Sequence, residues 1–350
     1  MPNAASKQNS TVARWLLVCA ALTFCIVIVG GITRLTRSGL SIVEWKPVAG
    51  VLPPLTEADW AAEFTKYRDT PEYQQVNRGM QLHEFKNIFW WEFSHRLLAR
   101  LIGVVFLLPF LWFLIRKQIH GHMAGRLALI FCLGGAQGFL GWYMVKSGLI
   151  KDPHVSHLRL TSHLLLAALL YGTLLYTASQ FLYPQITAQK SRGGFLIVIA
   201  TFILLGSGAL VAGLKAGKIY NTFPLMNGSY FPPGVEWQTP LIGNFFNNAA
   251  LVQFIHRNLA YAVGVIIAVQ LYRRRGEIRE TGLRHPLLVL LAIYIVQVLL
   301  GALTLLNAVP VWLGAWHQAN AMLLFTAALY EFYFSPEFIR GKNESREPEN

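Results

Sequence analysis

The sequence predicts an all-α integral membrane protein of eight transmembrane helices, forming two pseudo-symmetric four-helix bundles with both termini cytoplasmic. Three observations predict it. Hydrophobic residues make up 54% of the chain and charged residues 13%, with mean hydropathy +0.42, which excludes an ordinary soluble domain. Apolar runs long enough to cross a bilayer recur from one end of the chain to the other. One motif, Phe-x-His-Arg-x-Leu-Ala followed by Gly-Val, opens two of those runs, at Phe93–Val104 and at Phe254–Val265.

In order, the expected spans are 14–33, 93–115, 124–145, 158–181, 193–213, 248–272, 285–307 and 311–334. Between the first two lies a long loop, 34–91, and loops of that length usually carry function. Within it, Thr56-Glu57-Ala58-Asp59 has the capping and acidic residues of a helix start, and Pro71 interrupts that helix. Gln81–Trp91 is expected to be helical and to run on into span two. The third and seventh spans each carry Gln-x-x-x-Gly, Gln137 to Gly141 and Gln297 to Gly301. The corner Asn307–Pro310 separates the last two spans. His163 and Tyr176 recur as His317 and Tyr330 at one constant spacing. Arg37-Ser38-Gly39 similarly resembles Lys215-Ala216-Gly217. The halves divide at the polar stretch Tyr183–Gly194, giving an N-terminal unit 1–183 and a C-terminal unit 184–350. Four spans per unit preserve orientation, so the repeat is parallel.

Charge sets the topology. The net charge of +13 concentrates in alternate short loops, at Arg116, Lys117 and Arg126, at Lys190 and Arg192, and at Arg273–Arg275, Arg279 and Arg284. The opposite short loops hold Lys146 and Lys151, then Lys215 and Lys218. This bias makes the first set and both termini cytoplasmic, and the excess charge serves orientation and anionic lipid rather than nucleic acid. The stretch Met1–Arg14 is short and polar, which favours a bacterial inner membrane over a mitochondrial one. Cys19, Cys25 and Cys132 all lie in apolar spans, where buried thiols are expected and a structural disulfide is not.

Four histidines stand close to the outer starts of spans two, four, six and eight: His95, His163, His256 and His317. At a common depth and in two repeat-related pairs, they suit the axial ligation of two six-coordinate haems. Zinc is the metal alternative, but neither a Cys cluster nor a His-rich loop supports it. His157 is the one competitor to His163, and it lacks a counterpart in span eight. Arg96 and Arg257 follow ligand histidines directly; headgroup snorkelling and charge-assisted bonds to haem propionates are both open to them. Three residues before each histidine the halves differ, with Glu92 in the first and Gln253 in the second. A carboxylate beside only one haem points to proton chemistry there alone. Glu84 is an accessory candidate if the helix reaches that far.

The stretch Glu84-Phe85-Lys86-Asn87-Ile88-Phe89-Trp90-Trp91-Glu92-Phe93-Ser94-His95-Arg96, with Gly31-Ile32-Thr33-Arg34-Leu35-Thr36-Arg37-Ser38-Gly39-Leu40-Ser41, resembles the haem A synthase family. The resemblance covers nearly all eight spans. It implies an oxidoreductase that converts the C8 methyl group of haem O to a formyl group with water-derived oxygen, supplying haem A to cytochrome oxidase. Substrate haem would lie between His95 and His163, a permanent haem B between His256 and His317, and Glu92 would be the essential carboxylate. Haem O synthase and cytochrome oxidase assembly factors are the candidate protein partners, alongside an unidentified electron acceptor. Some members of the family carry two cysteines in the first outer loop; this chain resembles the branch without them. Two rival readings share the same residues: a diheme transmembrane electron-transfer cytochrome, and a haem transport or delivery scaffold.

Overall fold

The computed structural model describes residues 4–46, 50–149, 153–184, 191–282 and 285–334. Twelve α-helices occur among them. Seven are long and apolar enough to cross a membrane: α1 (Ala4–Leu35, apolar from Asn9), α4 (Leu82–Ile115), α5 (Gly121–Gly148), α6 (His157–Leu182), α7 (Arg192–Gly213), α9 (Ala249–Arg273) and α11 (Pro286–Leu306). The chain is therefore a multi-pass membrane protein. Each of the seven overlaps an expected span, within one residue at the ends of α9 and α11 that fall short. The eighth expected span is also a single helix, α12 (Val311–Tyr333), but His317, Gln318, Asn320 and Glu331 lower its hydropathy. Those residues suit its position, since α12 packs on α11, α7, α1 and α6. Gln318 Nε2 donates to the Val27 carbonyl of α1 at 2.7 Å, where Gly31 leaves room for the amide.

Helix neighbours fall into two sets. In the first, α1 packs on α4 and α6, and α5 packs on α6 and α4; in the second, α7 packs on α9 and α12, and α11 packs on α12 and α9. The sets meet where α6 lies on α7 and α1 on α12. One apolar core runs through α1, α4, α5 and α6 and takes in Leu205, Met322 and Phe325 from the other set. A second core, around Ile197, Ile267, Leu287 and Leu290, fills the second set. Side chains such as Leu108, Phe139, Val265 and Leu299 point outward, as a lipid-facing surface requires. Of the cysteines, Cys19 is buried, whereas Cys25 and Cys132 are exposed on outward helix faces. Apolar sequence alone does not distinguish a lipid-facing thiol from a buried one.

The last part of the 34–91 stretch is helix, as expected for Gln81–Trp91, because α4 begins at Leu82 and runs unbroken through Trp91 to Ile115. Its first turns project beyond the apolar stretch and carry an aromatic cap. α2 (Glu57–Arg68) starts at Thr56, whose hydroxyl accepts from Asp59 N while the Asp59 carboxylate accepts from Thr56 N. α3 (Pro71–Gln75) follows with Pro71 in its first turn. Trp60, Tyr67 and Tyr73 from α2 and α3 pack on Phe85, Phe89 and Phe93 of α4. That cluster holds the loop over the start of the membrane-embedded part of α4. In the second half, the shorter α8 (Asn244–Asn247) leads into α9 and α10 (Arg275–Thr281) follows it.

Candidate functional site

Two sequence-equivalent corners build the site. α1 ends in a Schellman turn: Arg37 takes φ 56°, Ser38 N donates to Thr33 O at 2.8 Å, and Arg37 N donates to Arg34 O at 3.3 Å. α7 ends at the equivalent Lys215, with φ 55° and its N–H on Ala212 O at 3.2 Å. Each chain then crosses the start of the next long helix and is clamped there by the arginine after the motif histidine. Arg96 donates to Ile42 O at 2.8 Å and to Glu44 O at 3.0 Å. Arg257 donates to Tyr220 O at 3.1 Å and to Thr222 O at 2.9 Å. Ile42 and Tyr220 correspond in the repeat, as do Glu44 and Thr222, so the two clamps are the same device built twice.

The halves part at the residue beneath the clamp. Glu92 is 3% exposed, and its two oxygens act only as acceptors. Oε2 accepts from Ser41 Oγ and from Ile42 N, each at 2.8 Å; Oε1 accepts from Arg96 Nη2 at 2.6 Å and Nε at 3.1 Å. Gln253, equally buried, instead donates its amide to Tyr220 O at 3.0 Å, and its Oε1 has no partner. Thus a carboxylate–guanidinium pair stands in the first half where a neutral amide stands in the second. Glu72 of α3 lies within electrostatic reach of this pair. It is buried and takes a 3.2 Å bond from Tyr67 Oη. Burial pushes its carboxyl up to about 7; the Glu92 charge adds to the rise, while the Tyr67 hydroxyl, Arg37 and Arg34 oppose it.

The four predicted histidines share a packing rule. Each imidazole lies against a glycine of a neighbouring helix, so that a Cβ there would fall 3.0 Å from His95 at Gly30, 3.0 Å from His163 at Gly141, 3.2 Å from His256 at Gly208 and 3.0 Å from His317 at Gly301. Gly30 and Gly208 are repeat equivalents, and so are the two Gln-x-x-x-Gly glycines. The glutamines of that motif complete the cradle. Gln137 Nε2 donates to His163 O at 3.0 Å and lies 3.4 Å from its Nε2; Gln297 Nε2 lies 3.2 Å from His317 Nδ1. His95 is within electrostatic range of His163, and His256 of His317. Two imidazole pairs, with His163 Nδ1 buried and unpartnered, form a donor set that suits haem iron. Zinc fits less well, because among the described residues no three His, Cys, Asp or Glu side chains converge.

Other predicted residues lie elsewhere. Glu84 is exposed and accepts from Gln81 N at 2.8 Å, capping α4 about 12 Å along the axis from Glu92. His157, the competitor of His163, faces Asn247 Oδ1 at 2.9 Å and packs on Gly213.

This chain matches the model of a family described as cytochrome oxidase assembly protein over residues 13–329. The chain belongs to that family. Among relatives of this cytochrome oxidase assembly protein family, the heme A synthase of Nitrosospira multiformis is 47% identical over 326 residues, 91% of this chain and 92% of its own. That of Nitrosomonas eutropha is 44% identical over 333 residues, 93% and 94% of the two chains. That of Rhodospirillum centenum is 48% identical over 331 residues, 92% and 88%.

Several parts of this family member's site escape a reading of sequence. Ser41 and Ile42 hold Glu92 through a hydroxyl and a backbone N–H, and the arginine clamps end on carbonyls; backbone partners leave no side-chain signature. The glycine cradle did leave a signal. Extending the match between Arg37-Ser38-Gly39 and Lys215-Ala216-Gly217 back along the helix pairs Gly30 with Gly208.

Proposed function

We propose that this protein is a haem A synthase of the bacterial inner membrane, converting the C8 methyl group of haem O to a formyl group with water-derived oxygen. The observation that carries this reading is identity of 44–48% to heme A synthases along more than nine tenths of the chain. Substrate haem O would sit in the first half between His95 and His163, and a resident haem B in the second between His256 and His317. The haem B would supply a one-electron carrier close to the substrate, since the chain shows no flavin or nicotinamide fingerprint.

The residues of the first half suit this oxidation. Turning a methyl into a formyl group with oxygen from water releases protons and electrons in equal number, so a base must stand near the reacting carbon. Glu92 is the base this reading assigns. Arg96 neutralises it, and Ser41 and Ile42 fix both its position and the loop that closes over it. Gln253 at the equivalent place cannot take a proton, which accords with a second half that binds without converting. Arg257 keeps its Nε buried and unpartnered, a donor free for a propionate once the clamp is made. Arg96 has one Nη1 hydrogen left for the same purpose after its bonds to Glu44, Ile42 and Glu92.

In the membrane, α12 would be the eighth span. Its 23 residues reach about 35 Å, and its polar residues face other helices. Eight spans place both termini on one side, and the Lys/Arg bias makes that side cytoplasmic. Haem O synthase would supply the substrate, and cytochrome oxidase assembly factors would receive the product. Pigment extraction from protein co-expressed with a haem O source tests the function. Formyl porphyrin in the extract is the expected result; unaltered haem alone would favour a diheme electron carrier, and exchange of unaltered haem across the membrane would favour a transporter.

A further inference from the structure

The two motif histidines differ in what holds their far nitrogen. Ser207 Oγ lies 2.7 Å from His256 Nδ1 and donates its proton to Leu204 O at 2.8 Å. A serine hydroxyl has a single proton. With that proton spent on Leu204, the oxygen can only accept from the ring, so His256 carries its proton on Nδ1 and leaves Nε2 free as a donor to metal. The repeat places Val29 at the position of Ser207, one residue before the cradle glycine, and valine offers no hydrogen-bonding atom. The rings also present different edges: Gly30 faces Nε2 and Cδ2 of His95, whereas Gly208 faces Cε1 of His256.

The second pair of histidines also differs between the halves. In the second half, Asn320 Nδ2 donates to Ile293 O at 3.0 Å and to Gln297 Oε1 at 2.8 Å, which turns the Gln297 amide nitrogen toward His317. Leu166 takes the place of Asn320 in the first half, and there Gln137 Oε1 is buried without a partner. His256 is thus held by a side-chain hydrogen bond that His95 lacks, whereas Gln137 and Gln297 both reach their histidines and differ in that Asn320 fixes Gln297 alone.

We propose that Ser207 is a positioning residue that fixes His256 as the Nδ1–H tautomer and makes the second half the one that keeps its haem, with Asn320 fixing the orientation of Gln297 beside His317. Val29 and Leu166 leave the first half able to exchange its haem, as a half that takes substrate and gives up product must. The inference rests on the reading that His256 and His317 ligate a resident haem. A bond like that of Ser207, accepted from the ring N–H, raises the basicity of a ligating imidazole and holds its orientation; losing one typically costs 10–100-fold in affinity.

The test uses the full-length protein purified with haem B, measuring haem transfer to excess apomyoglobin and the midpoint potential of the retained haem. Ser207→Ala should release haem roughly 10–100-fold faster than wild type, with a raised potential because a weaker donor disfavours the ferric state. Ser207→Thr, which keeps the hydroxyl, should restore both. Val29→Ser should slow release from the first half. Wild-type release and potential in Ser207→Ala would overturn the inference, as would an unchanged first-half rate in Val29→Ser, which remains decisive if Ser207→Ala does not fold. His256→Ala separates the two layers. Retention of the low-spin spectrum in that variant would remove the ligand reading itself, whereas its loss beside a wild-type Ser207→Ala would remove only the role of Ser207.

Discussion

The two halves use one plan and differ in a handful of side chains. Both end their first long helix in a left-handed turn, at Arg37 and Lys215, and both clamp the following loop with an arginine on equivalent carbonyls. Both press their histidines against helical glycines. The first half then places a buried carboxylate, Glu92, under its clamp and roofs it with an aromatic cap. The second places a neutral amide there, adds a hydrogen bond from His256 to Ser207 and fixes Gln297 beside His317 with Asn320. On the proposed function, a duplicated scaffold is divided between conversion and retention without any change of fold. The division lives in charge and in hydrogen bonds to the ring nitrogens.

The sharpest way to break this comparison is to remove the histidines in turn. His256→Ala or His317→Ala is expected to abolish the retained low-spin haem spectrum, while His95→Ala or His163→Ala leaves that spectrum and abolishes haem A formation. Absorption spectra and extracted pigment report both. Equal loss of spectrum from all four would erase the distinction between the halves.

The clamps offer a smaller effect with a built-in control. Arg96→Ala strands the buried Glu92 charge, which should cost about 3–5 kcal/mol. Arg257→Ala strands only carbonyls and should cost about 1–3 kcal/mol. Thermal inactivation in detergent should rank Arg96→Ala clearly below Arg257→Ala. The reverse order would mean that Glu92 does not depend on Arg96 for its charge balance.

The smallest effect is a pH dependence carried in the first half by Glu72. Glu72 has a folded value of about 7 against an ordinary 4.5, so the folded state binds its proton more tightly than the unfolded chain does. Its contribution is therefore fully present below pH 4.5 and is lost as pH rises through 7. Glu72→Gln should flatten that slope and raise Tm at pH 8 by about 2 °C. An unchanged slope in the variant would show that Glu72 is not the titrating group.

Much of this architecture is legible in the sequence because membrane helices announce themselves by length and apolarity. Thr56 and Asp59 start α2 where their capping pattern places it, and α4 runs through Trp91 without a break. The repeated motif locates the four histidines and the Glu92–Gln253 difference. α12 falls below the other seven expected spans in hydropathy, because His317, Gln318, Asn320 and Glu331 interrupt it. Which way Cys25 or Cys132 faces depends on packing, and apolar composition carries no record of it. Ser207 and Asn320 were illegible for a different reason. A serine or asparagine in an apolar helix acquires meaning only when a ring nitrogen or an amide is seen beside it.

The central claim, that the first half converts because it alone carries a carboxylate under its clamp, is met most directly by pigment analysis of Glu92→Gln made alongside a haem O source. The substitution copies Gln253 into the first half and removes charge and basicity at nearly constant shape. The expected result is near-normal total haem, with haem O or a partly oxidised haem in place of haem A. Wild-type levels of haem A from that variant would contradict the account.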